Sequence, residues 1–368
     1  MVKYFFIFNL LIGLTNISLA NDGSFRGSGN QLIPIRETNI AVRKEILTIK
    51  KVNRNYVDIS VYYEFFNPGN EKEITVGFEA FSPSGDVDGT PVNGQHPYMD
   101  NFTVNMNGEM LQYKIAYVSD STYARNGFIH SKTLKEIKNL IEDVNEVNFY
   151  YVYYFKAKFK KGLNIIKHTY QFDLSSSVSS IYDFKYILTA ANRWGNRQID
   201  DFTLILNPGN FETLQIPETF FHSKDEWLIN GLGKVLNVGK DDLFETGKNQ
   251  LRFYIQRGNL IFTKKNFHPD GELYFYEPPE LSPGENGEIK ENYLPFSIDC
   301  QDEIDVNNVK IDKRILRNLP FARRGYVFKN SELKSFYERM DWYMPNPTYL
   351  PDLAAIDERE KKWLEKLN

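Results

Sequence analysis

The sequence predicts a mainly β protein, an antiparallel sandwich-like body of one or two subdomains that ends in a small α-helical module. Many short segments alternate apolar and polar residues with a period of two, and turn-type residues separate them at regular spacing. Strands and helices do not alternate along the chain, which disfavours a parallel α/β sheet. Helical periodicity is confined to a short stretch after Ser131 and to the C-terminal region.

The clearest predicted strand is Tyr56–Phe66, because every second residue in it is apolar. The residues that share its apolar face are Val57, Ile59, Val61, Tyr63 and Phe65. Asn67–Asn70 is typical of a turn, so Ile74–Phe81 is predicted to be the partner strand. Two further turn signals predict hairpins. They are Asn107-Gly108, and Gln256–Asn259 between Leu251–Ile255 and Leu260–Phe262.

Changes in composition divide the chain into five predicted regions. They are a signal peptide at 1–20, a flexible lead at 21–32, a β-rich region at 33–277, a linker at 278–310 and a helical domain at 311–367. The polar run Ser175–Ser177 marks a place near residue 175 where the β-rich region either continues or divides, and the sequence leaves both readings open.

The first twenty residues predict export. Lys3 provides a positive start, Tyr4–Leu14 is an apolar run, and Ser18-Leu19-Ala20 has small residues where a signal peptidase reads them. The run is shorter than the ~20 residues that span a bilayer, so cleavage before Asn21 is expected, rather than a transmembrane anchor. Since Asn21 is not a cysteine, no lipid anchor is expected. We therefore expect an extracytoplasmic protein, periplasmic or secreted.

Charge and motif content disfavour several classes of function. The formal net charge is −4 and the pI about 5.9, which argues against nucleic acid as a partner. The five histidines are isolated in sequence, and there is no Gly-x-Ser-x-Gly elbow or phosphate-binding loop. The sequence thus predicts no catalytic residue, no metal site and no cofactor, and it favours a non-enzyme without deciding the point. The single cysteine, Cys300, is predicted to be buried rather than a free thiol.

The C-terminal region has the periodicity of short amphipathic helices. Ile315, Leu316 and Leu319 form the apolar stripe of a helix that is predicted to end at Pro320. Asn330 or Ser331 is predicted to cap the next helix.

This region resembles the YARHG domain. The resemblance rests on Leu316-Arg317-Asn318, Phe321-Ala322-Arg323-Arg324-Gly325, Tyr326, Phe328-Lys329, Glu332-Leu333, Phe336 and Trp342-Tyr343. The residues depart from the family pattern at Phe321, where the motif has tyrosine, at Arg324, where it has histidine, and at Pro320. The resemblance implies an extracellular bacterial protein and no established activity, and any role that needs the motif's histidine is in doubt.

The N-terminal region is weakly similar to an uncharacterised exported bacterial domain. The similar segments are Glu45-Ile46-Leu47, Val61–Asn67, and Tyr186–Ala190 followed by Trp194.

The candidate binding residues are Arg317, Arg323, Arg324, Trp342 and Tyr343. Residues 311–368 contain twelve basic and nine acidic residues, a net charge of +3, which leaves −7 for the rest of the chain. Such a module could dock on anionic envelope polymers. The favoured alternative is structural: the arginines would pair with Asp312, Glu332, Glu338 or Asp341, and the two aromatic residues would pack in the core.

Two functions follow from these observations. The leading hypothesis is an envelope-associated or secreted, non-catalytic binding or structural protein that presents the C-terminal module to a cell-surface polymer or protein. The alternative is a hydrolase of cell-wall or surface polymers whose catalytic carboxylates are scattered in sequence. A cleft with two facing carboxylates would favour the hydrolase. The oligomeric state is left open.

Overall fold

The computed structural model describes residues 24–25, 30–34, 38–85, 87–118, 129–143, 149–177, 180–240, 247–278, 294–298 and 311–367. The predicted signal peptide with its cleavage site, Cys300 and most of the predicted linker lie outside these residues.

The predicted fold class is confirmed: the described chain is mainly β and ends in a small group of helices. The strands are β1 (Ser24–Phe25), β2 (Asn30–Pro34), β3 (Ala41–Lys51), β4 (Tyr56–Asn67), β5 (Lys72–Phe81), β6 (Ser84–Gly85), β7 (Met99–Met106), β8 (Glu109–Met110), β9 (Lys114–Val118), β10 (Tyr150–Phe159), β11 (Gly162–Asp173), β12 (Ser175–Ser177), β13 (Ser180–Tyr186), β14 (Ile199–Asn207), β15 (Glu212–Pro217), β16 (Trp227–Lys240), β17 (Asn249–Phe267) and β18 (Leu273–Glu277). The α-helices are α1 (Leu134–Asp143), α2 (Lys313–Arg323), α3 (Ser331–Tyr337) and α4 (Glu358–Glu365).

The strands form two sheets that pack face to face. The larger sheet has the order β6-β1-β12-β13-β18-β15-β17-β14-β3-β4-β11-β7-β8, with β16 paired to β17 beside this path, and the smaller has the order β2-β5-β10-β9. The pairing is antiparallel except between β3 and β14. Aromatic rings join the layers: Phe78 of the smaller sheet lies 5.0 Å from Phe102 of the larger one, centroid to centroid. The inner faces of both sheets therefore bury one shared apolar core.

The strand prediction for Tyr56–Phe66 is confirmed, but its predicted partner is wrong. β4 pairs with β3 and β11, whereas β5 pairs with β2 and β10 in the other sheet. The Asn67 side-chain amide donates to the carbonyls of Asn70 (2.9 Å) and Phe159 (3.2 Å), which fixes a corner between the sheets. Alternation of apolar and polar residues shows that one face of a strand is buried, but it does not show which strand is its hydrogen-bonded neighbour. The alternation in β4 and β5 therefore did not reveal that the two strands belong to different sheets.

The predicted turn at Gln256–Asn259 is also wrong, because β17 continues through it. β17 pairs with β16 along most of its length, and its two halves pair on the other edge with β14 and β15. The glycine that suggested a turn, Gly258, instead lies opposite Gly231 where the two strands come very close. The hairpin turn predicted at Asn107-Gly108 is confirmed by the pairing of β7 with β8. The return strand is short, because the chain after it forms β9 and pairs with β10 in the smaller sheet.

Helix α2 passes through Pro320, so the prediction that it ends there is wrong. Proline lacks the N–H that would bond to the carbonyl of Leu316, four residues earlier. The indole Nε1–H of Trp363 donates to that carbonyl at 2.8 Å. A side chain from α4 thereby satisfies the acceptor that proline leaves open, and the helix continues to Arg323.

We expect Gly258→Ala to destabilise the protein strongly, because its Cβ would lie 2.3 Å from the Asn230 carbonyl oxygen. Gly162→Ala is the matched control: it also has a positive φ, but nothing lies within 4 Å of its Cβ. Both variants carry about 1 kcal/mol of backbone strain, and Gly258→Ala should lose a further ~1–3 kcal/mol from overpacking. Chemical unfolding measures the difference, and equal losses would contradict the close approach of β16 and β17.

Candidate functional site

The structure places the five candidate binding residues in different environments. Arg323, Trp342 and Tyr343 are buried, and the Arg324 side chain is 12% exposed. Arg317 is exposed and donates to the carbonyl of Leu367 at 2.9 Å. The structure therefore does not gather all five residues on one surface.

The carboxylate of Glu360, on α4, accepts hydrogen bonds from both arginines of the motif, Arg323 and Arg324. Arg324 makes a bidentate contact, with Nη1 and Nη2 donating to the two carboxylate oxygens at 2.5 and 2.7 Å. Arg323 Nη1 donates to one of the same oxygens at 3.1 Å. The Glu360 side chain is fully buried, so its charge depends on these partners. Arginines in an ion pair were expected, but the partner is Glu360, which was not among the four acids considered.

The same arginines bind the β body through Phe211. Arg323 Nη2 donates to the Phe211 carbonyl oxygen at 3.3 Å. Both guanidinium groups lie over the Phe211 ring, at 4.5 and 4.6 Å from its centroid. Phe211 has a φ of 57°, a backbone conformation that non-glycine residues rarely adopt. In this conformation it offers both its carbonyl and its ring face to the module.

A second ionic link runs from the core of the body to α4. Glu212, next to Phe211 in the chain, accepts from Lys51 Nζ at 2.7 Å and from Arg359 Nη1 at 3.2 Å. The Lys51 and Glu212 side chains are almost completely buried. Consecutive residues of the body, Phe211 and Glu212, therefore hold three arginines of the module.

Apolar contacts complete this interface. Leu294–Ile298, within the predicted linker, is buried and packs with the module's core and with Tyr254 of β17. Trp342 Nε1 donates to the Leu294 carbonyl at 2.7 Å. The indole of Trp342 thus has its polar atom satisfied inside the core.

A second feature is a small cleft in the body at Glu45 of β3. Its polar groups are the Glu45 carboxyl and the hydroxyls of Tyr63 and Tyr186, which both bond to that carboxyl. The two hydroxyl oxygens lie 3.3 Å apart. The apolar lining consists of Leu32, Val42, Ile187, Leu188, Ala190, Ala191 and Trp194. The cleft has room for roughly one water.

The rim of the cleft is fixed by Glu272. Its carboxylate accepts from the backbone N–H groups of Leu188 (2.6 Å) and Thr189 (3.1 Å), where a short 3₁₀ helix, Thr189–Arg193, begins. A helix start leaves backbone donors without partners, and this carboxylate satisfies two of them.

Burial dominates the chemistry of the cleft. It raises the pKa of Glu45 to about 8, so this carboxyl is protonated at neutral pH. Behind Tyr63, burial lowers the pKa of His168 to about 3. The His168 ring is stacked between Tyr63 and Tyr170, with centroids 5.9 Å from each. The cleft therefore presents neutral donors and acceptors among aromatic rings.

Sequence reasoning missed this cleft, although a signal existed. Glu45 has the same strand parity as the buried Leu47 and Ile49, and His168 has the parity of Ile166 and Tyr170. Such a polar residue on an apolar face is informative. The three segments that carried the weak N-terminal resemblance also meet here, since each contributes residues to the lining.

Comparison with known proteins identifies the module. Residues 301–368 match the YARHG domain. YARHG domains occur in extracellular proteins, which agrees with the expected location outside the cytoplasm. No curated protein matches the chain at a significant level. Within the residues that the structure describes, no helix is long and apolar enough to cross a membrane.

Two solved structures were matched to the chain, both at low identity. A Legionella pneumophila protein, provisionally described as a nutrient binding protein, is 17% identical with a TM-score of 0.47, covering 94% of this chain and 97% of that one. An M1 zinc metallopeptidase from Deinococcus radiodurans is 8% identical with a TM-score of 0.23, covering 71% and 51%. Both scores lie below 0.5, so neither likeness carries a functional conclusion. Among the described residues, no group of three His, Cys, Asp or Glu could hold a metal ion.

We expect Glu360→Gln to destabilise the protein by about 3 kcal/mol, because it removes the carboxylate that pairs with the fully buried Arg323 and the largely buried Arg324. Glu358→Gln, in the same helix, is the matched control, since its side chain is 81% exposed. Denaturant unfolding of the protein measures both. The YARHG module does not depend on Glu360 if the two variants unfold at the same midpoint.

Stability should also depend on pH through Glu45. Between the ordinary pKa of 4.5 and about 8, the folded state holds a proton that the unfolded chain has lost. The contribution of protonated Glu45 to the free energy of unfolding is therefore fully present below pH 4.5. It decreases as pH rises towards 8, with a slope of up to about 1.4 kcal/mol per pH unit. Relative to Glu45→Gln, the wild type should lose stability from pH 5 to 8. Parallel stability curves would rule out a protonated Glu45.

Proposed function

We propose that this is an exported, non-catalytic binding protein of the bacterial envelope or extracellular space, in which body and YARHG module act together. The observation that carries the proposal is the YARHG match at residues 301–368. The signal-peptide pattern at residues 1–20 supports it, because export places the mature chain among surface polymers and proteins.

The docking of the module defines which of its residues can contact a partner. Four of the five candidates, Arg323, Arg324, Trp342 and Tyr343, are buried or nearly buried and hydrogen-bonded inside the protein. We assign ligand contact to the fifth, Arg317, which is exposed although it also donates to the Leu367 carbonyl. It lies one helical turn after the exposed Lys313 on α2, so both cations share one face. An anionic cell-surface polymer is the partner that this face and the module's net charge of +3 fit best.

The competing hypothesis, a polymer hydrolase, gains little from the Glu45 cleft. Glycosidases use two carboxyl groups on either side of the scissile bond. Glu45 is the single carboxyl among the described residues that line the cleft, and the cleft has room for roughly one water.

Charge reversal on α2 tests the proposal. Arg317→Glu should reduce retention of the purified mature protein on isolated cell envelope several-fold at low salt, because repulsion replaces attraction. Lys329→Glu, an equal charge change at another exposed position of the module, should retain binding. Melting temperatures check that both variants are folded.

Point variants are preferable to deletion of the module. Deletion would expose the buried surface around Tyr254 and Phe296 and create non-specific adhesion. Unchanged retention of Arg317→Glu, or equal losses in both variants, would count against α2 as the contact surface.

A further inference from the structure

The Glu45 cleft has no part in the docking of the module, and its chemistry calls for an explanation of its own. We propose that this cleft binds one monovalent cation the size of ammonium, either an ammonium group or an alkali metal ion. The proposal is independent of the envelope-binding role and rests on the geometry of the cleft.

The donor set suits a single positive charge. Three oxygen-bearing side chains, Glu45, Tyr63 and Tyr186, converge from strands β3, β4 and β13. Each can accept from an N–H group or coordinate a metal ion. No lysine, arginine or histidine is among the described residues that line the cleft, so an ionised Glu45 would have no internal cation as partner. Trp194 adds an aromatic ring, which also attracts cations.

The size of the cleft limits the ligand. It accepts a group about as large as one water, which fits an ammonium group or a desolvated alkali ion and excludes a quaternary ammonium. The cleft has no room for the alkyl part of a primary amine, which would lie outside it. The site therefore recognises the charged head group.

Binding would exchange a proton for the cation. The neutral carboxyl of Glu45 releases its proton to solvent, and the carboxylate pairs with the incoming cation, so the charge inside the cleft stays balanced. The other titratable groups near it are Tyr63, Tyr170, Tyr186 and His168, and burial keeps all four neutral at pH 7. Glu45 is thus the group that can give up this proton.

The buried residues next to Tyr63, His168 and Tyr170, provide an independent observation. His168 and Tyr170 are almost completely buried, and neither ring nitrogen of His168 nor the Tyr170 hydroxyl has a hydrogen-bond partner among the described residues. Buried polar atoms normally have partners. Burying polar atoms without partners lowers the stability of the protein. This cost favours a ligand-binding role for the neighbouring groups of the cleft, Tyr63 and Glu45.

The test measures thermal unfolding of the mature protein at pH 7 and constant ionic strength. The salts are the chlorides of ammonium, methylammonium, potassium and sodium, with tetramethylammonium as the size control. We expect a melting-temperature rise that saturates with at least one small cation, and none with tetramethylammonium. Calorimetry in two buffers of different ionisation enthalpy should show release of close to one proton per cation bound.

Variants separate binding from general salt effects. Glu45→Gln is close in shape to the neutral acid, so it should fold and lose the cation response. Glu73→Gln, an exposed position on β5, should keep it. A response to ammonium and methylammonium identifies an amine site, and a response to potassium or sodium alone identifies an alkali-ion site. Equal responses of wild type and Glu45→Gln, or an equal effect of tetramethylammonium, would overturn the proposal.

Discussion

The contact between the Glu360 carboxylate and the two motif arginines, Arg323 and Arg324, is the interaction on which the interface between the module and the body depends. One carboxylate faces two guanidinium groups, so the buried group carries an excess of positive charge. Such a charge is tolerated only with further acceptors. The body supplies them through the carbonyl and ring of Phe211. Both motif arginines therefore contact the body directly, and the motif acts within the molecule as a docking element.

The shape of the body makes that docking possible. β14 and β15 pair in succession with the two halves of β17, and the turn between them holds Phe211 in its unusual conformation. The long strand β17 also supplies Tyr254 to the core that the module shares. The same sheet carries Glu45 on its inner face. The docking surface for the module and the Glu45 cleft are thus both formed in part by strands of the larger sheet.

The sequence predicted the fold class, the strand faces and the C-terminal module, because all three depend on local periodicity and spacing. It did not predict that β4 and β5 belong to different sheets, since alternation defines a buried face but not the element that covers it. It could not identify Glu360 as the partner of Arg323, because that pair forms 37 residues apart after tertiary packing. Glu45 was overlooked because a single acid in an apolar strand gives a weak signal until its burial is known.

The contacts of Phe211 and Glu212 with the arginines of the module lead us to expect that module and body unfold as one cooperative unit. Hydrogen exchange of the full mature chain, measured at increasing denaturant, tests it most directly, because it reports the free energy of opening for each segment. We expect the most protected amides of α2 and of β17 to exchange through the same opening, with equal free energies and equal denaturant dependence. A separate, lower-energy opening of α2, with β17 still protected, would contradict it.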